Sequence, residues 1–269
     1  MIKIEDLSKS FKNVIALSNV NLEIKDGEIF GIVGPNGSGK TTMLRTIIKE
    51  IDPDRGKIYS DDTIIKEGDK MDFAYMSEQR NGINNFRLND YRNFYSMLYP
   101  KWDDSLFFAL VSNFKIPDTR KYKNLSMGNK SALMFALTVS ANTRYVLLDE
   151  PTQHLDPQRR YVALETIKKL SLKDKTIIIS SHQMEEMEGV ITSFAILLNS
   201  VLLYTDTLDN AKDYHRILGK TSNLHDFTMV ATLSDDDMLV KVDNPEIDSG
   251  RYPKFGEIVV GYLKRGIQI

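Results

Sequence analysis

Cysteine is absent from this chain of 269 residues. Its absence removes disulfide staples, thiolate metal sites and thiol nucleophiles, and it fits a reducing compartment. Long apolar runs are missing as well. Nothing approaches the ~20 uninterrupted residues of a membrane span. The nearest candidate, Val190–Tyr204, is interrupted by Thr192, Ser193, Asn199 and Ser200, and it reads as two strands with a turn at Asn199-Ser200. The opening Met1-Ile2-Lys3-Ile4-Glu5-Asp6 carries acids early and no apolar segment, so no secretory signal is expected. Nor does one sign of charge dominate. The 35 Lys+Arg stand against 37 Asp+Glu, a formal charge of −2, which argues against a polybasic nucleic-acid surface as the main activity. What remains, 42% apolar and 27% charged residues, is a globular balance and excludes wholesale disorder. The length suits one large domain, or one domain with an appendage.

The first third reads as strands. Ile2/Ile4 and Val20/Leu22/Ile24 alternate with polar residues, the period of a half-buried strand. Asp26-Gly27 marks a turn, and Glu28–Val33 is a short apolar run of the kind covered on both faces. A helix is expected from about Lys40 to Glu50, stopped by Asp52-Pro53-Asp54, with further strands at Ile58-Tyr59, Ile64-Ile65 and Phe73–Met76. From about Asn81 the character turns helical. Asn89–Tyr99 and Asp103–Phe114 read as helices capped by Asn89 and Asp103, and a third runs from about Met127 to Ser140. This section is rich in aromatics, including Phe86, Tyr91, Phe94, Tyr95, Tyr99, Trp102, Phe107, Phe108 and Phe114. Most are expected to pack as core, leaving a few for a docking face. Strands return at Tyr145–Leu148 and Thr176–Ser180 around a helix at Arg159–Leu170, a βαβ-type unit. Beyond Gly219, Phe227–Leu233 and Met238–Val242 look like strands. After Lys220 eight acids face five bases, so membrane-surface attraction is not expected there.

Gly34-Pro35-Asn36-Gly37-Ser38-Gly39-Lys40-Thr41 fits G-x-x-x-x-G-K-[ST] at every fixed position. Glycine lets the backbone take positive φ and approach phosphate oxygens without a Cβ in the way. Successive N–H groups converge into an anion nest, and the helix that follows adds its N-terminal dipole. Lys40 can reach the β and γ phosphates, and the Thr41 hydroxyl suits Mg²⁺, which prefers oxygen ligands. The apolar strand before the loop and the helix after it are the context the motif needs. A nucleoside triphosphate site is the conclusion. Tyr145-Val146-Leu147-Leu148-Asp149-Glu150 is an apolar strand ending in two acids, which places Asp149 near Mg²⁺ and Glu150 where a carboxylate can take a proton from water.

With these residues in place the chain resembles the ATP-binding subunits of ABC transporters over roughly residues 1–218. Leu125-Ser126-Met127-Gly128-Asn129-Lys130 resembles the family's LSGGQ signature, with Met127 and Asn129 as departures. Gln153-His154-Leu155-Asp156 is similar to the D-loop, and Ser180-Ser181-His182 to the switch-histidine segment. Phe11 stands where the family places an aromatic on adenine, although a single aromatic also packs as plain core. By register from Phe73-Ala74-Tyr75, Glu78 occupies the usual Q-loop glutamine position with Gln79 beside it; both stay open as contacts to Mg²⁺ and the lytic water. His154, His215 and His225 are given no role.

The resemblance implies an α/β P-loop NTPase (ABC ATPase) core with an antiparallel β subdomain. It adds a helical subdomain at about 81–142 and a small C-terminal extension at 219–269. It implies ATP and Mg²⁺ as ligands. Nucleotide contacts are carried over to Phe11, Gly34, Pro35, Asn36, Gly37, Ser38, Gly39, Lys40, Thr41, Thr42, Glu78, Gln79, Ser126, Gly128 and Asp156. Metal contacts go to Thr41, Asp149 and Gln79, and catalysis to Glu150, His182 and Lys40. Two ATPase subunits, identical or paralogous, are expected to close head-to-tail on ATP and drive a separate integral membrane permease. The chain is then cytoplasmic, peripheral at the inner face of the membrane, with no nucleic-acid partner. Asn93–Asp103 resembles a group of Gram-positive exporter-type ATPases often encoded beside GntR-type regulators, and Phe255–Leu263 resembles the tail of drug- and antimicrobial-peptide-export ATPases, which favours export. The alternative is a soluble ABC ATPase of nucleic-acid repair or translation, but the coiled coils, zinc cysteines and second cassette of such relatives are missing. A GTPase would need an N-K-x-D segment, and none is found.

Overall fold

The apolar runs bracketed by turn residues become the strands of a central sheet. The computed structural model describes residues 1–66, 69, 72–219, 227–246 and 249–267. Lys220, His225, Asp226 and Asp248 lie outside the described residues. In chain order the first half forms β1 (Ile2–Phe11), β2 (Val14–Ile24), β3 (Ile29–Val33), α1 (Lys40–Ile47), β4 (Arg55–Ser60), β5 (Thr63–Ile64) and β6 (Phe73–Met76). Three helices follow, α2 (Leu88–Leu98), α3 (Asp104–Asn113) and α4 (Met127–Ser140). Then come β7 (Tyr145–Asp149), α5 (Pro157–Ser171), β8 (Thr176–Ser181), α6 (Met184–Glu188), β9 (Ser193–Leu198) and β10 (Val201–Thr207). The chain closes with α7 (Leu208–Asp213), β11 (His215–Gly219), β12 (Phe227–Thr232), β13 (Asp237–Val242) and α8 (Phe255–Ile267).

The central sheet has the order β10-β9-β3-β8-β7-β6, parallel except for β10. Alternate residues of each strand feed opposite faces. Ile29 and Val33 of β3 join the core shared with α4, α5 and α8, while Phe30 and Ile32 join the core under β1, β2 and α1. Covered on both faces, β3 is buried throughout, and each such side chain contributes about 1.5–3 kcal/mol of transfer free energy. The antiparallel sheet β2-β1-β4-β5 lies over the second face. The expected turn between β9 and β10 falls at Asn199 and Ser200, whose φ values of 48° and 72° match a primed hairpin turn.

Three helix boundaries differ from the sequence reading; the smallest change is in α5, which starts at Pro157 rather than Arg159, behind its cap Asp156. Helix α1 ends at Ile47 rather than near Glu50, because Lys49 turns left-handed (φ 56°) and the N–H groups of Glu50 and Ile51 fold back to the Arg45 carbonyl. Helix α2 starts at Leu88, so Asn89 lies inside it and is not its cap. The Asp90 carboxylate reaches back to the Arg87 N–H at 2.8 Å, which makes Arg87 the cap. Asp103 caps α3 as expected, accepting from the Leu106 N–H.

The last three strands pair as β11-β13-β12, a separate antiparallel sheet whose first strand begins before residue 218. Helix α8 was not anticipated. It buries Phe255, Ile258, Val259 and Tyr262 at helical spacing, and Gly261 lets it approach Leu239. His215 is sealed between α7 and α8. Its Nδ1–H donates to the Ala211 carbonyl (2.7 Å), and Nε2 accepts from the Tyr262 hydroxyl (3.1 Å). Burial pushes its pKa below the ordinary value of about 6.5. A depressed histidine favours the native state above the unfolded-state pKa and opposes it as pH falls through that value. Urea midpoints are therefore expected to drop between pH 7 and 5, with a shallower drop in His215→Gln; equal slopes would contradict this assignment.

Candidate nucleotide site

Strand β3 ends at the glycine loop, and α1 begins at Lys40, so the loop is held between a buried strand and a helix N-terminus. Gly37 and Gly39 have φ of 80° and 110°, conformations that side-chain-bearing residues rarely take. A Cβ on Gly39 would lie 2.4 Å from the Ala16 carbonyl oxygen, and one on Gly34 would lie 2.2 Å from that of Leu197. Lys40 is nearly buried, and its Nζ donates to the carbonyls of Gly34 (2.8 Å) and Pro35 (3.1 Å). Burial lowers its pKa, against the opposite pull of Glu150, Asp149 and Glu78.

The carboxylate of Asp149, at the end of β7, joins four elements. The Thr41 hydroxyl donates to Oδ2 at 2.7 Å, the Tyr75 hydroxyl of β6 donates to the same oxygen at 3.3 Å, and the Ser180 hydroxyl of β8 donates to Oδ1. Burial beside Asp149 pushes the Tyr75 phenol well above its ordinary range, so it remains a donor. Glu150 follows with φ 49°, a left-handed conformation for a residue with a Cβ. Its N–H donates to the Ser180 carbonyl at 3.1 Å. A carboxylate only accepts, so His182 presents Nδ1–H to Glu150 Oε1 at 2.8 Å.

These groups border an open cleft of about 410 Å³ lined by the glycine loop, Lys40, Thr41, Thr42, Asp149 and Glu150, with Val14, Ile15 and Ala16 as its apolar wall. Phe11 is 45% exposed and pairs with Val14 across the β1–β2 hairpin, beside that wall. Glu78 lines the cleft. Gln79 does not, and its side chain accepts from Asn81 instead. The donor set fits magnesium: a hydroxyl and a carboxylate, both hard oxygens, meet at Thr41 and Asp149, and Ser38 Oγ in the same loop is buried without a partner.

Ser126, Gly128 and Asp156 form a second group away from this cleft. Ser126 caps α4, accepting from the Asn129 N–H, and Asp156 caps α5, accepting from the Arg159 N–H. A Cβ on Gly128 would stand 2.9 Å from the His154 carbonyl oxygen, so the signature turn and the turn before α5 touch. The wall residues Val14 and Ile15 and the Asp149 partners Tyr75 and Ser180 carry roles that the sequence reading did not assign. Tyr75 and Ser180 share one signal: both sit at or near the end of a strand parallel to β7.

A model of the ABC transporter family matches residues 17–153. The ABC transporter ATP-binding protein YtrB of Bacillus subtilis (strain 168) is 35% identical over 216 residues, which cover 79% of this chain and 74% of that protein. Among solved structures, an ATP-binding subunit of an ABC transporter superposes with a TM-score of 0.72 at 24% identity, covering 79% of this chain and 92% of its own. The dimeric post-hydrolysis cassette MJ0796, bound to ADP and Pi, gives 0.69 at 23% identity, with 77% and 99% covered.

Because Gly39 has no room for a Cβ and a disfavoured φ, Gly39→Ala is expected to cost roughly 1–3 kcal/mol and to abolish retention on immobilised ATP. Urea unfolding and a pull-down check both; unchanged retention would show that the loop does not hold phosphate.

Proposed function

The chain belongs to the ABC transporter family, and from that premise we propose that it is the ATP-driven motor of a transporter whose transport path lies in a separate membrane permease. It is an ATPase, with ATP as substrate and Mg²⁺ as the metal. No helix among the described residues is long and apolar enough to cross a membrane. The observation that carries the site assignment is the Thr41–Asp149 contact at the mouth of the glycine loop, with Glu150 next in sequence and paired to His182.

The γ-phosphate of ATP sits over the loop, where converging N–H groups and Lys40 oppose its charge. Thr41 and Asp149 are the residues that would hold Mg²⁺, which when bound neutralises phosphate oxygens. Glu150 accepts a proton from the attacking water as the water oxygen bonds to the γ-phosphorus and ADP leaves. His182 holds the Glu150 carboxylate in its orientation through Nδ1–H.

One chain leaves this cleft open, and its signature turn lies elsewhere. A head-to-tail pair would bring Ser126 and Gly128 of each subunit over the P-loop of the other, with the exposed Met127 at that contact. The dimeric MJ0796 cassette shares this fold. Phe94, Met97, Leu98 and Phe108 of the helical section remain exposed, and this apolar face is the proposed seat of the permease. Export is the favoured direction because Asn93–Asp103 and Phe255–Leu263 resemble exporter-type ATPases.

Glu150→Gln keeps the shape of the side chain and removes the base. Its turnover is expected to fall at least ~100-fold while MgATP converts the chain to a stable dimer, read by light scattering. Wild-type turnover in this variant would refute the base assignment. The chain is further expected to co-purify from membranes with an integral membrane protein, and a Met97→Glu substitution on the exposed face is expected to weaken that association without lowering basal ATPase.

A further inference from the structure

We propose that Arg80 is a positioning residue for Glu150, a latch tying the peptide that carries the catalytic carboxylate to α4, the helix that opens with the signature turn. This rests on the reading of Glu150 as the base.

Arg80 is 2% exposed, and its partners are three main-chain carbonyls and one hydroxyl. One guanidinium nitrogen donates to the Asp149 carbonyl at 3.1 Å and to that of Ser77; another donates to the Glu150 carbonyl. Nε–H donates to Ser131 Oγ of α4 at 3.2 Å. The main chain of Arg80 is anchored in the helical section as well, since the buried Tyr122 hydroxyl donates to its carbonyl. Tyr122 lies just before the signature turn. Arg80 thus spans the strand end on one side and the helical section on the other.

The Glu150 peptide needs such a hold. It is left-handed at φ 49°, a conformation that L-residues keep only when their surroundings impose it. Its N–H is fixed by the Ser180 carbonyl and its carbonyl by Arg80. Removing the guanidinium frees the carbonyl side and lets the backbone relax toward right-handed conformations, carrying the carboxylate away from His182. The planar, always-charged fork serves carbonyls in several directions at once, which a lysine cannot match. The link to Ser131 gives the latch a second use. A shift of α4, which bears Ser126 and Gly128, reaches the attacking-water site through one side chain.

The test is steady-state ATPase of the full-length chain carrying Arg80→Met, Arg80→Lys or Ser131→Ala, alone and with Glu150→Gln. Arg80→Met is expected to lower kcat at least ~10-fold with KM for MgATP within about threefold, because Lys40 and the glycine loop are untouched. Arg80→Lys should recover part of that loss, and Ser131→Ala should lower kcat about two- to threefold. On the Glu150→Gln background Arg80→Met should change the residual rate less than twofold, since the two act as a unit. Unchanged kcat, a rise in KM at constant kcat, or a full multiplicative loss on Glu150→Gln would each overturn the latch. If Arg80→Met does not fold, Arg80→Lys and Ser131→Ala decide alone, and wild-type kcat in both overturns it. An active Glu150→Gln would instead mean that the base assignment has failed, whereas an inactive Glu150→Gln beside fully active Arg80 variants means that only the latch has.

Discussion

The carboxylate of Asp149 is the point on which the site is assembled. Both of its oxygens are engaged, one by Thr41 of α1 and Tyr75 of β6, the other by Ser180 of β8. Three parallel strands and the helix after the glycine loop are therefore registered at one buried anion. Such an anion is tolerable because hydroxyl donors surround it and the cations of Lys40 and Arg80 stand near, so losing a donor weakens its solvation in a low dielectric. The consequence for function is placement. Glu150 is the next residue, and it inherits its position from the strand end that Asp149 fixes.

A division of labour follows from the layers. The central sheet and the antiparallel sheet build the phosphate loop and the apolar wall at Val14 and Ile15. The helical section carries the signature turn and the exposed Phe94, Met97 and Leu98. The two parts meet at a strand end through a buried arginine, Arg80, which bonds Ser131 of α4 and the carbonyls of Asp149 and Glu150. The C-terminal sheet with α8 packs through Phe194, Phe255 and Tyr262 on the side of the central sheet shared with α4 and α5.

How much of this was legible in the residues depended on whether partners were contiguous. The glycine loop, Lys40 and Thr41 form one eight-residue pattern whose chemistry can be written from residue types alone. The strand ending in Asp149-Glu150 was equally plain, because an apolar run followed by acids has few other uses beside a P-loop. The cap at Asp103 showed itself through the helix it begins. Arg80 did not, because three of its four partners are main-chain carbonyls, two of them some 70 positions away, and carbonyls carry no side-chain signature. Helix α8 escaped notice because Gly256 and Gly261 weaken its helical pattern; Gly261 is there to let the helix close on Leu239. The Asn89 cap failed for a local reason: the helix already begins at Leu88, which puts Asp90 at the third helical position, where its carboxylate accepts from the Arg87 N–H.

The claim beneath all of this is that the glycine loop and Lys40 form a built receptor for the polyphosphate of ATP, on which Asp149 and Glu150 then act. Calorimetric titration of MgATP into the purified chain and its Lys40→Ala variant tests it most directly. One saturable site per wild-type chain is expected, with at least ~100-fold weaker binding in the variant. Equal affinity in the two proteins, or no binding to the wild type, would contradict it.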